Sequence, residues 1–171
     1  MCIIFGTMNK LRPKFILLIL LFISFSYCSQ AQALRDSISA DSLSAVCISL
    51  KGTPYKYGGI SQNGFDCSGF VSFVFAKFGI NVGHSSGAFG DMGERVAIED
   101  AQIGDVIVFT GTNSKKRSPG HVGIVISMKD EELAFIHSSS AKKDSGVKIT
   151  TYKTSNYPAR FLEIRRIAIV Q

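Results

Sequence analysis

The chain has few of the residue types that mark specialised classes of protein. Its 171 residues include no tryptophan, four cysteines and four prolines, and only 19% are charged. Neither Cys-x-x-Cys nor His-x-x-x-His occurs, so ligand spacing predicts no zinc site. With 46% hydrophobic residues, the composition excludes a disordered chain and predicts one globular domain with, at most, a targeting segment.

Acidic residues are absent before Asp36, and residues 1–33 have the pattern of a secretory signal peptide. Basic residues precede an apolar run from Phe15 to Tyr27, and Ala31-Gln32-Ala33 follows. A run of this length spans about 20 Å as a helix, too short for a hydrocarbon core of about 30 Å. We therefore expect export, cleavage after Ala33 and a mature chain covering 34–171.

Two alternatives for this N-terminal segment stay open. One is a membrane anchor that is not cleaved. The other is a lipoprotein signal, because Cys28 ends the apolar run, although the bulky Tyr27 stands where such signals have a small residue. The Ala-x-Ala site favours soluble export to the cell envelope, in the periplasm or outside the cell, over lipid anchoring at Cys28.

After residue 33 the charge is nearly balanced, with sixteen Lys and Arg against thirteen Asp and Glu. The short run Lys115-Lys116-Arg117 has no interleaved aromatic residues and is typical of a loop. The pattern therefore does not favour nucleic acid as a partner, and it predicts no transmembrane span in the mature chain. We expect a monomer without a metal or another cofactor.

Two cysteines remain after residue 33, Cys47 and Cys67. Export favours a disulfide between them, but the surrounding patterns indicate separate roles. Apolar residues recur at helical spacing before Gly52 and predict a helix over 34–51 with Cys47 on its buried face. Cys67 lies in a polar, glycine-rich turn, so we expect both thiols to be free.

The order of the predicted elements indicates an α+β fold. A second helix is predicted from Cys67 to Gly79, and it is apolar on nearly every side. Short apolar runs then predict about five strands, mostly antiparallel because their connections are short. These strands cover residues 105–109, 121–128, 133–138, 147–150 and 161–170. Helices followed by a meander predict a single α+β domain.

The segment Phe65-Asp66-Cys67-Ser68-Gly69 has the composition of an exposed turn at the start of a helix. Free amides and the positive end of a helix dipole lower the pKa of a thiol at this position, and they can stabilise an oxyanion. A buried structural cysteine is the alternative. The polar neighbours favour the exposed turn, so we predict that Cys67 is a nucleophile with a lowered pKa.

A thiol nucleophile needs a base, and two histidines lie at the ends of neighbouring predicted strands. His121 opens one strand and His137 ends the next. If the connecting loop centres on Lys129, the two histidines face each other. A loop centred later brings Ser140 nearer to His121 and makes His137 a diagonal or more distant neighbour. The first register places a base beside an orienting group.

Taken together, these motifs resemble the NlpC-type cell-wall cysteine peptidases, a family with a papain-like fold. The chain contains, in order, Gly-Thr-Pro-Tyr-x-Tyr-Gly-Gly, Asp-Cys-Ser-Gly-Phe, Gly-Asp, Gly-His-Val-Gly-Ile and Ile-His-Ser-Ser. The resemblance extends over about residues 40–168. It implies helices packed on a mostly antiparallel sheet, and an endopeptidase that cleaves peptidoglycan stem peptides between D-glutamate and a diamino acid.

The resemblance also implies a role for each residue of the site. Cys67 would attack the scissile carbonyl, and His121 would act as its base. His137 would orient His121 and stabilise its cationic form. Tyr55 would line the site and assist the oxyanion.

The substrate pocket matches the family less completely. Asp66 and Ser68 would help to hold the free amine of a stem-peptide fragment, with Ser86 as a further contact. Where the family often has Arg-x-Ser-x-x-Gln, this chain has His84 in place of the arginine and Phe89 in place of the glutamine. These two differences put the details of the predicted pocket in doubt.

Two other functions would use the same residues. An amidase or acyltransferase would apply the pair Cys67 and His121 to a different amide or ester, and an inactive module would bind the cell wall without turnover. Permuted acyltransferases place histidine before cysteine, whereas Cys67 comes first here. Because each predicted catalytic position is occupied, the endopeptidase is the favoured function.

Overall fold

A computed structural model describes residues 38–128, 132–168 and 170 of the chain. The predicted signal peptide 1–33 and the first residues of the predicted helix 34–51 lie outside these ranges. Within them, no helix is both long enough and apolar enough to cross a membrane.

The described residues contain two α-helices and eight strands. Helix α1 covers Ala40–Ser49 and helix α2 covers Cys67–Ala76. Short 3-10 helices cover Ala88–Asp91, Ile98–Asp100 and Pro158–Arg160. The strands are β1 Ile60–Ser61, β2 Gly64–Phe65, β3 Glu94–Val96, β4 Val106–Thr110, β5 Pro119–Ser127, β6 Ala134–Ser139, β7 Gly146–Thr151 and β8 Phe161–Arg166.

Six strands form one antiparallel sheet in the order β3-β8-β4-β5-β6-β7. Strands β1 and β2 form a separate hairpin. This arrangement confirms the predicted α+β fold, and the five predicted strands correspond to β4 through β8. The prediction missed β3, because this three-residue strand carries two exposed charged side chains and has no apolar run.

Helix α2 is capped at its start and buried along most of its length. The Asp66 side chain accepts a hydrogen bond from the Gly69 amide at 2.7 Å and so caps the N-terminus. Just beyond the last turn, Gly79 adopts φ +77°, a conformation that suits glycine and ends the helix. The helix packs against β5 and β6. Its first residue, Cys67, is therefore held against the sheet.

The sheet carries apolar side chains on both faces. On the helix side, Val122 and Ile124 of β5 belong to the cluster that includes α1 and α2. On the other face, Phe109, Phe135 and Tyr157 pack as an aromatic cluster with ring centroids 4.7 to 5.0 Å apart. Ile124 and Val125 of β5 belong to the two different clusters, so successive residues face different layers, as the pleat of a strand requires.

Both cysteines of the described chain are free, as the sequence patterns predict. Cys47 is fully buried on α1, and burial raises the pKa of its thiol to about 12. Its contacts are apolar and its role is packing. Cys67, at the start of α2, is only half-buried.

A buried ion pair joins the residue before β4 to the end of β8. Asp105 is 2% exposed, and its two carboxylate oxygens accept hydrogen bonds from Nε and Nη2 of Arg166 at 2.9 Å each. The Gln102 amide donates another bond to Asp105 at 2.8 Å. Because His121 pairs with Phe109 at the opposite end of β4, this ion pair lies away from the histidines and has a structural role.

Replacing Asp105 tests this structural role. Asp105→Ala should lower the free energy of unfolding by about 2 kcal/mol, because Arg166 and the Gln102 amide lose a buried charged acceptor. Asp144→Ala removes the exposed partner of Lys148 and should lower it by about 0.5 kcal/mol or less. Urea titration of both variants measures the difference, and equal effects would contradict the assignment.

Candidate active site

The carboxylate of Asp66 organises the turn that precedes α2. It accepts hydrogen bonds from the amides of Gly69 and Gly58 at 2.7 and 3.0 Å, and from the Ser68 hydroxyl at 3.0 Å. Nε2 of His84 lies 3.0 and 3.1 Å from its two oxygens. Two carboxylate oxygens accept at about four positions. In this structure those positions are occupied, and Asp66 fixes the loop around Cys67.

The sulfur of Cys67 lies against the beginning of β5. The backbone amides of Val122, Ser68 and Cys67 itself lie close enough to the sulfur to lower the pKa of the thiol. Val122 directly follows His121, so the amide that contacts the sulfur belongs to the residue next to the predicted base. Burial raises the pKa of the Tyr157 phenol, Arg160 lowers it, and the charge of Cys67 raises it, so the thiol lies near the Tyr157 hydroxyl. The sulfur and the His121 backbone therefore meet at one end of β5.

The protonation state of Cys67 differs from the sequence-based expectation. Burial raises the pKa of the thiol above its ordinary value, and the charge of Asp66 raises it further. The three amides lower it, but they do not outweigh burial. The amides and the helix dipole can be inferred from the sequence, whereas the desolvation of the sulfur arises only from the packing around it. The expectation of a lowered thiol pKa was wrong.

His121 and His137 form a hydrogen-bonded pair that continues to Thr150. Nε2 of His121 lies 2.8 Å from Nδ1 of His137, and Nε2 of His137 lies 2.9 Å from Oγ1 of Thr150. The two imidazole planes are 89° apart. This arrangement engages one nitrogen of His121 and both nitrogens of His137. Nδ1 of His121 is the ring nitrogen that these bonds leave unused.

The two histidines are diagonal neighbours rather than opposite residues. Ile124 pairs with Ile136 across β5 and β6, and the same register continued places Gly123 opposite His137. Ile124 would pair with Ala134 if the connection were centred on Lys129, so the observed register is displaced by two residues, as a later centre predicts. A side chain on Gly123 would lie 3.1 Å from Cβ of His137. Glycine at this position leaves the space in which His137 reaches His121.

Both imidazoles are neutral in this environment. Burial lowers the pKa of His121 to about 3, and the charge of Arg160 contributes to the shift. Burial lowers the pKa of His137 to about 2, with further contributions from His121, Lys148 and Arg160. The thiol of Cys67 is protonated for the same reason. The resting site therefore holds a neutral thiol near neutral imidazoles.

Tyr157 covers the histidine pair from the aromatic layer. Its hydroxyl lies 3.4 Å from Nε2 of His121 and 3.5 Å from Nδ1 of His137. The guanidinium of Arg160 lies 4.8 Å from the centroid of the Tyr157 ring. This packing shields the bond between the two histidines from water and keeps both rings in place.

The other predicted site residues take different positions around Cys67. Tyr55 is half-buried. Burial raises the pKa of its phenol, and the charges of Cys67 and Asp66 raise it further, so the hydroxyl lies near the thiol. Ser68 is 6% exposed and donates to Asp66. Ser86 is half-buried in the segment before the Ala88–Asp91 3-10 helix. The structure thus brings Tyr55, Asp66 and Ser68 to Cys67.

Sequence reasoning missed two groups that the structure places at the histidines, Thr150 and Tyr157. Thr150 lies on β7 in an otherwise unremarkable run of strand residues, and Tyr157 precedes a 3-10 helix far along the chain. Neither belongs to a local motif. In the sequence His84 is only a departure from the family pattern, and its contact with Asp66 arises from the fold.

No ion is needed to explain this arrangement of side chains. Among the described residues, no group of three or more His, Cys, Asp and Glu side chains could hold a metal ion. The polar atoms at the centre of the site are already paired, with His121 on His137 and His137 on Thr150.

Comparison with known proteins agrees with the architecture. The sequence profile of the NlpC/P60 family matches residues 52–166. A protein named probable peptidoglycan endopeptidase LytE, from Bacillus subtilis, is 35% identical over 130 residues, which are 76% of this chain and 35% of the relative. Murein DD-endopeptidase MepS/Murein LD-carboxypeptidase, from Escherichia coli K12, is 32% identical over 118 residues, 68% of this chain and 57% of the relative.

A solved structure gives the same result. The crystal structure of an NlpC/P60 family protein from Bacillus cereus superposes with a TM-score of 0.68 and 32% identity, covering 77% of this chain and 41% of that chain. This chain spans about a third of LytE and somewhat more than half of MepS. The profile match includes the turn before α2, both histidines and strands β4 to β8, and the chain belongs to the NlpC/P60 family.

Proposed function

We propose that this chain is an exported cysteine endopeptidase that hydrolyses peptidoglycan stem peptides. One observation carries the proposal: the amide of Val122, next to His121, lies close enough to the Cys67 sulfur to lower the pKa of the thiol, and His121 begins a hydrogen-bonded chain through His137 to Thr150. A thiol and an oriented imidazole at one strand end are the parts that nucleophilic catalysis needs. The names of the relatives support peptidoglycan as the substrate.

The direction of the hydrogen bonds decides which nitrogen can act as base. If His137 donates its Nε2 proton to Thr150, its Nδ1 accepts the Nε2 proton of His121. Nδ1 of His121 then carries a lone pair and can accept the thiol proton of Cys67. The opposite direction would place a proton on Nδ1 and leave His121 unable to act as base.

The reaction then follows from a neutral resting pair. Nδ1 of His121 takes the thiol proton as the Cys67 sulfur attacks the scissile carbonyl carbon. The backbone amide of Cys67 and the hydroxyl of Tyr55 stabilise the oxyanion. His121 gives its proton to the leaving amine as the peptide bond breaks and a thioester remains. Water, deprotonated by His121, hydrolyses the thioester and releases the free thiol.

We propose that the scissile bond joins D-glutamate to the diamino acid. The free amine of the fragment would be held near Asp66, Ser68 and Ser86. The acceptor positions of Asp66 are occupied in this structure, and His84 takes one of them. A substrate ammonium would therefore bind where Nε2 of His84 lies, and His84 would move aside. His84 also has the higher exposure of the two partners, at 36% against 14%.

Export is part of the same proposal. The basic start, short apolar run and Ala-x-Ala site of residues 1–33 support a cleaved signal peptide. Peptidoglycan lies outside the cytoplasmic membrane, so a stem-peptide hydrolase of the wall needs such a signal. A lipid on Cys28, identified by mass spectrometry of the processed protein, would replace soluble export with anchoring.

The nucleophile is tested with a pair of cysteine variants. Cys67→Ala should abolish hydrolysis of a defined stem peptide, and it should change the free energy of unfolding by about 1 kcal/mol or less because the side chain is only half-buried. Cys47→Ala should retain hydrolysis, since Cys47 is buried on α1 away from the site. Product masses, read by mass spectrometry, identify the bond.

Each other outcome of that assay has a distinct meaning. Turnover by Cys67→Ala would remove Cys67 as the nucleophile. Binding of wall fragments by the unaltered chain without products would indicate an inactive wall-binding module. Products joined to an added amine or alcohol would indicate an acyltransferase, and cleavage of a D-Ala cross-link alone would overturn the proposed bond.

The neutral resting pair predicts how alkylation depends on pH. The thiol pKa is raised and the His121 pKa is lowered to about 3, so the thiolate fraction should grow about ten-fold per pH unit between pH 6 and 8. The rate of Cys67 labelling by iodoacetamide, followed by peptide mass spectrometry, should rise in proportion. A rate that stays constant between pH 5 and 7 would instead show a preformed thiolate–imidazolium pair.

Thr150 tests the direction of the hydrogen bonds. Thr150→Val keeps the shape but removes the hydroxyl, and it should lower kcat about five- to ten-fold with little change in KM. Thr150→Ser, which keeps the hydroxyl, should retain most of the rate. Equal losses of kcat in both variants would indicate a packing role only. An unchanged kcat in both would show that Thr150 does not support the two histidines in catalysis.

A further inference from the structure

A cavity of about 340 Å³ opens beside His121. Its walls include His121 and Tyr157 together with the side chains of Lys148, Arg160 and Asn156. Tyr55, Asp66 and Ser68, which lie at Cys67, do not line it. The cavity is therefore separate from the proposed amine site.

Lys148 stands directly next to the histidines. It is the cross-strand partner of His137 on β7, and opposite residues of an antiparallel pair project to the same face. Its Nζ lies 2.7 Å from Oδ2 of Asp144, whose side chain is 71% exposed. An ion pair with so exposed a carboxylate is weakened by water and salt, so Lys148 remains able to bind a second anion.

Arg160 supplies a second cation that has no acidic partner. Its Nε and Nη2 donate to the backbone carbonyls of Gly111 and Thr110 at 3.0 and 2.9 Å. These bonds fix the guanidinium but do not neutralise its charge. In the described part of the chain, no carboxylate lies within 4.0 Å of it. Two of its five N–H donors carry the two bonds.

The cavity thus presents two positive charges against one solvent-exposed carboxylate. Both cations lie close enough to lower the pKa of His137, so their charge acts on the hydrogen-bonded histidines. Lysine and arginine that converge on a polar recess form charge-assisted hydrogen bonds to carboxylates. The chemistry of the walls favours a small anionic group.

The position of His121 indicates which part of a substrate reaches the cavity. In the proposed reaction His121 protonates the leaving amine, so the residue that carries this amine must lie over the His121 ring. The cavity shares that ring as one of its walls. Substituents of the leaving residue are therefore the groups that can enter.

We infer that the cavity beside Lys148 and Arg160 binds a free carboxylate of the amino acid on the leaving side of the scissile bond. The inference rests on the proposed function, and it adds a charge requirement to the diamino acid. A bound carboxylate would offset the two cations near His121 and His137. It would thereby stabilise the protonated form of His121 when the thiol is deprotonated.

Two matched substrates test the inference with the full chain. One is the tripeptide L-Ala-γ-D-Glu-L-Lys with a free carboxylate on lysine, and the other carries a carboxamide there. We expect kcat/KM about ten-fold higher for the carboxylate, mostly through KM, as one charge-assisted contact provides. Lys148→Met should reduce the ratio below about three-fold, whereas Lys148→Arg should keep it.

Lys143→Met is the matched control, because Lys143 is an exposed lysine of the connection between β6 and β7 and does not line the cavity. It changes the net charge by the same amount as Lys148→Met and should leave the ratio at the value of the unaltered chain. Equal kcat/KM for the two substrates would overturn the inference, as would an unchanged ratio in Lys148→Met. An equal fall in Lys148→Met and Lys143→Met would indicate long-range charge alone and would also overturn it.

A binding measurement separates this inference from the proposed function. Calorimetric titration of Cys67→Ala with each tripeptide reports affinity without turnover, and we expect about ten-fold tighter binding of the carboxylate. If the unaltered chain hydrolyses neither peptide but this preference is present, the proposed endopeptidase activity fails and the carboxylate site stands. If both peptides are hydrolysed and bind equally, the carboxylate site fails and the endopeptidase activity stands.

Discussion

The site depends on the approach of the Val122 amide to the Cys67 sulfur, which is close enough to lower the pKa of the thiol and joins the start of α2 to the start of β5. Asp66 holds one side of this contact by capping α2 and fixing the preceding loop. The apolar packing of α2 against β5 holds the other. Neither the thiol nor His121 has to be positioned by a flexible loop. The junction between α2 and β5 fixes the positions of the thiol and His121 relative to each other.

Desolvation gives this site its chemical character. The same burial that holds the rings in place raises the pKa of the Cys67 thiol and lowers those of His121 and His137. A charged pair at rest is therefore unfavourable, and charge appears only as the reaction proceeds. Lys148 and Arg160 act in the same direction, since each opposes a proton on His137. A substrate that brings its own negative charge to these cations would relieve that opposition.

The sequence predicted the coarse fold well because its apolar periodicity is strong. The buried run Phe70 to Phe75 repeats at helical spacing, and β4 is apolar at nearly every position, so element type follows from local pattern. Strand β3 was missed, since a short edge strand with charged side chains carries no such pattern. The diagonal placement of His137 depends on the register of β5 against β6 and on the space at Gly123. Both are properties of paired strands rather than of either strand alone.

The amino-acid sequence by itself determined the class of fold, the family, and the choice of Cys67, His121 and His137 as the candidate catalytic residues, because motif order and periodicity are local properties. Only the tertiary structure decided the protonation of the thiol, the continuation to Thr150, the cover by Tyr157 and the basic cavity at Lys148. These features depend on desolvation and on contacts between residues far apart in the chain. Neither burial nor such contacts can be read from spacing, since both arise only when the sheet and helices close on each other.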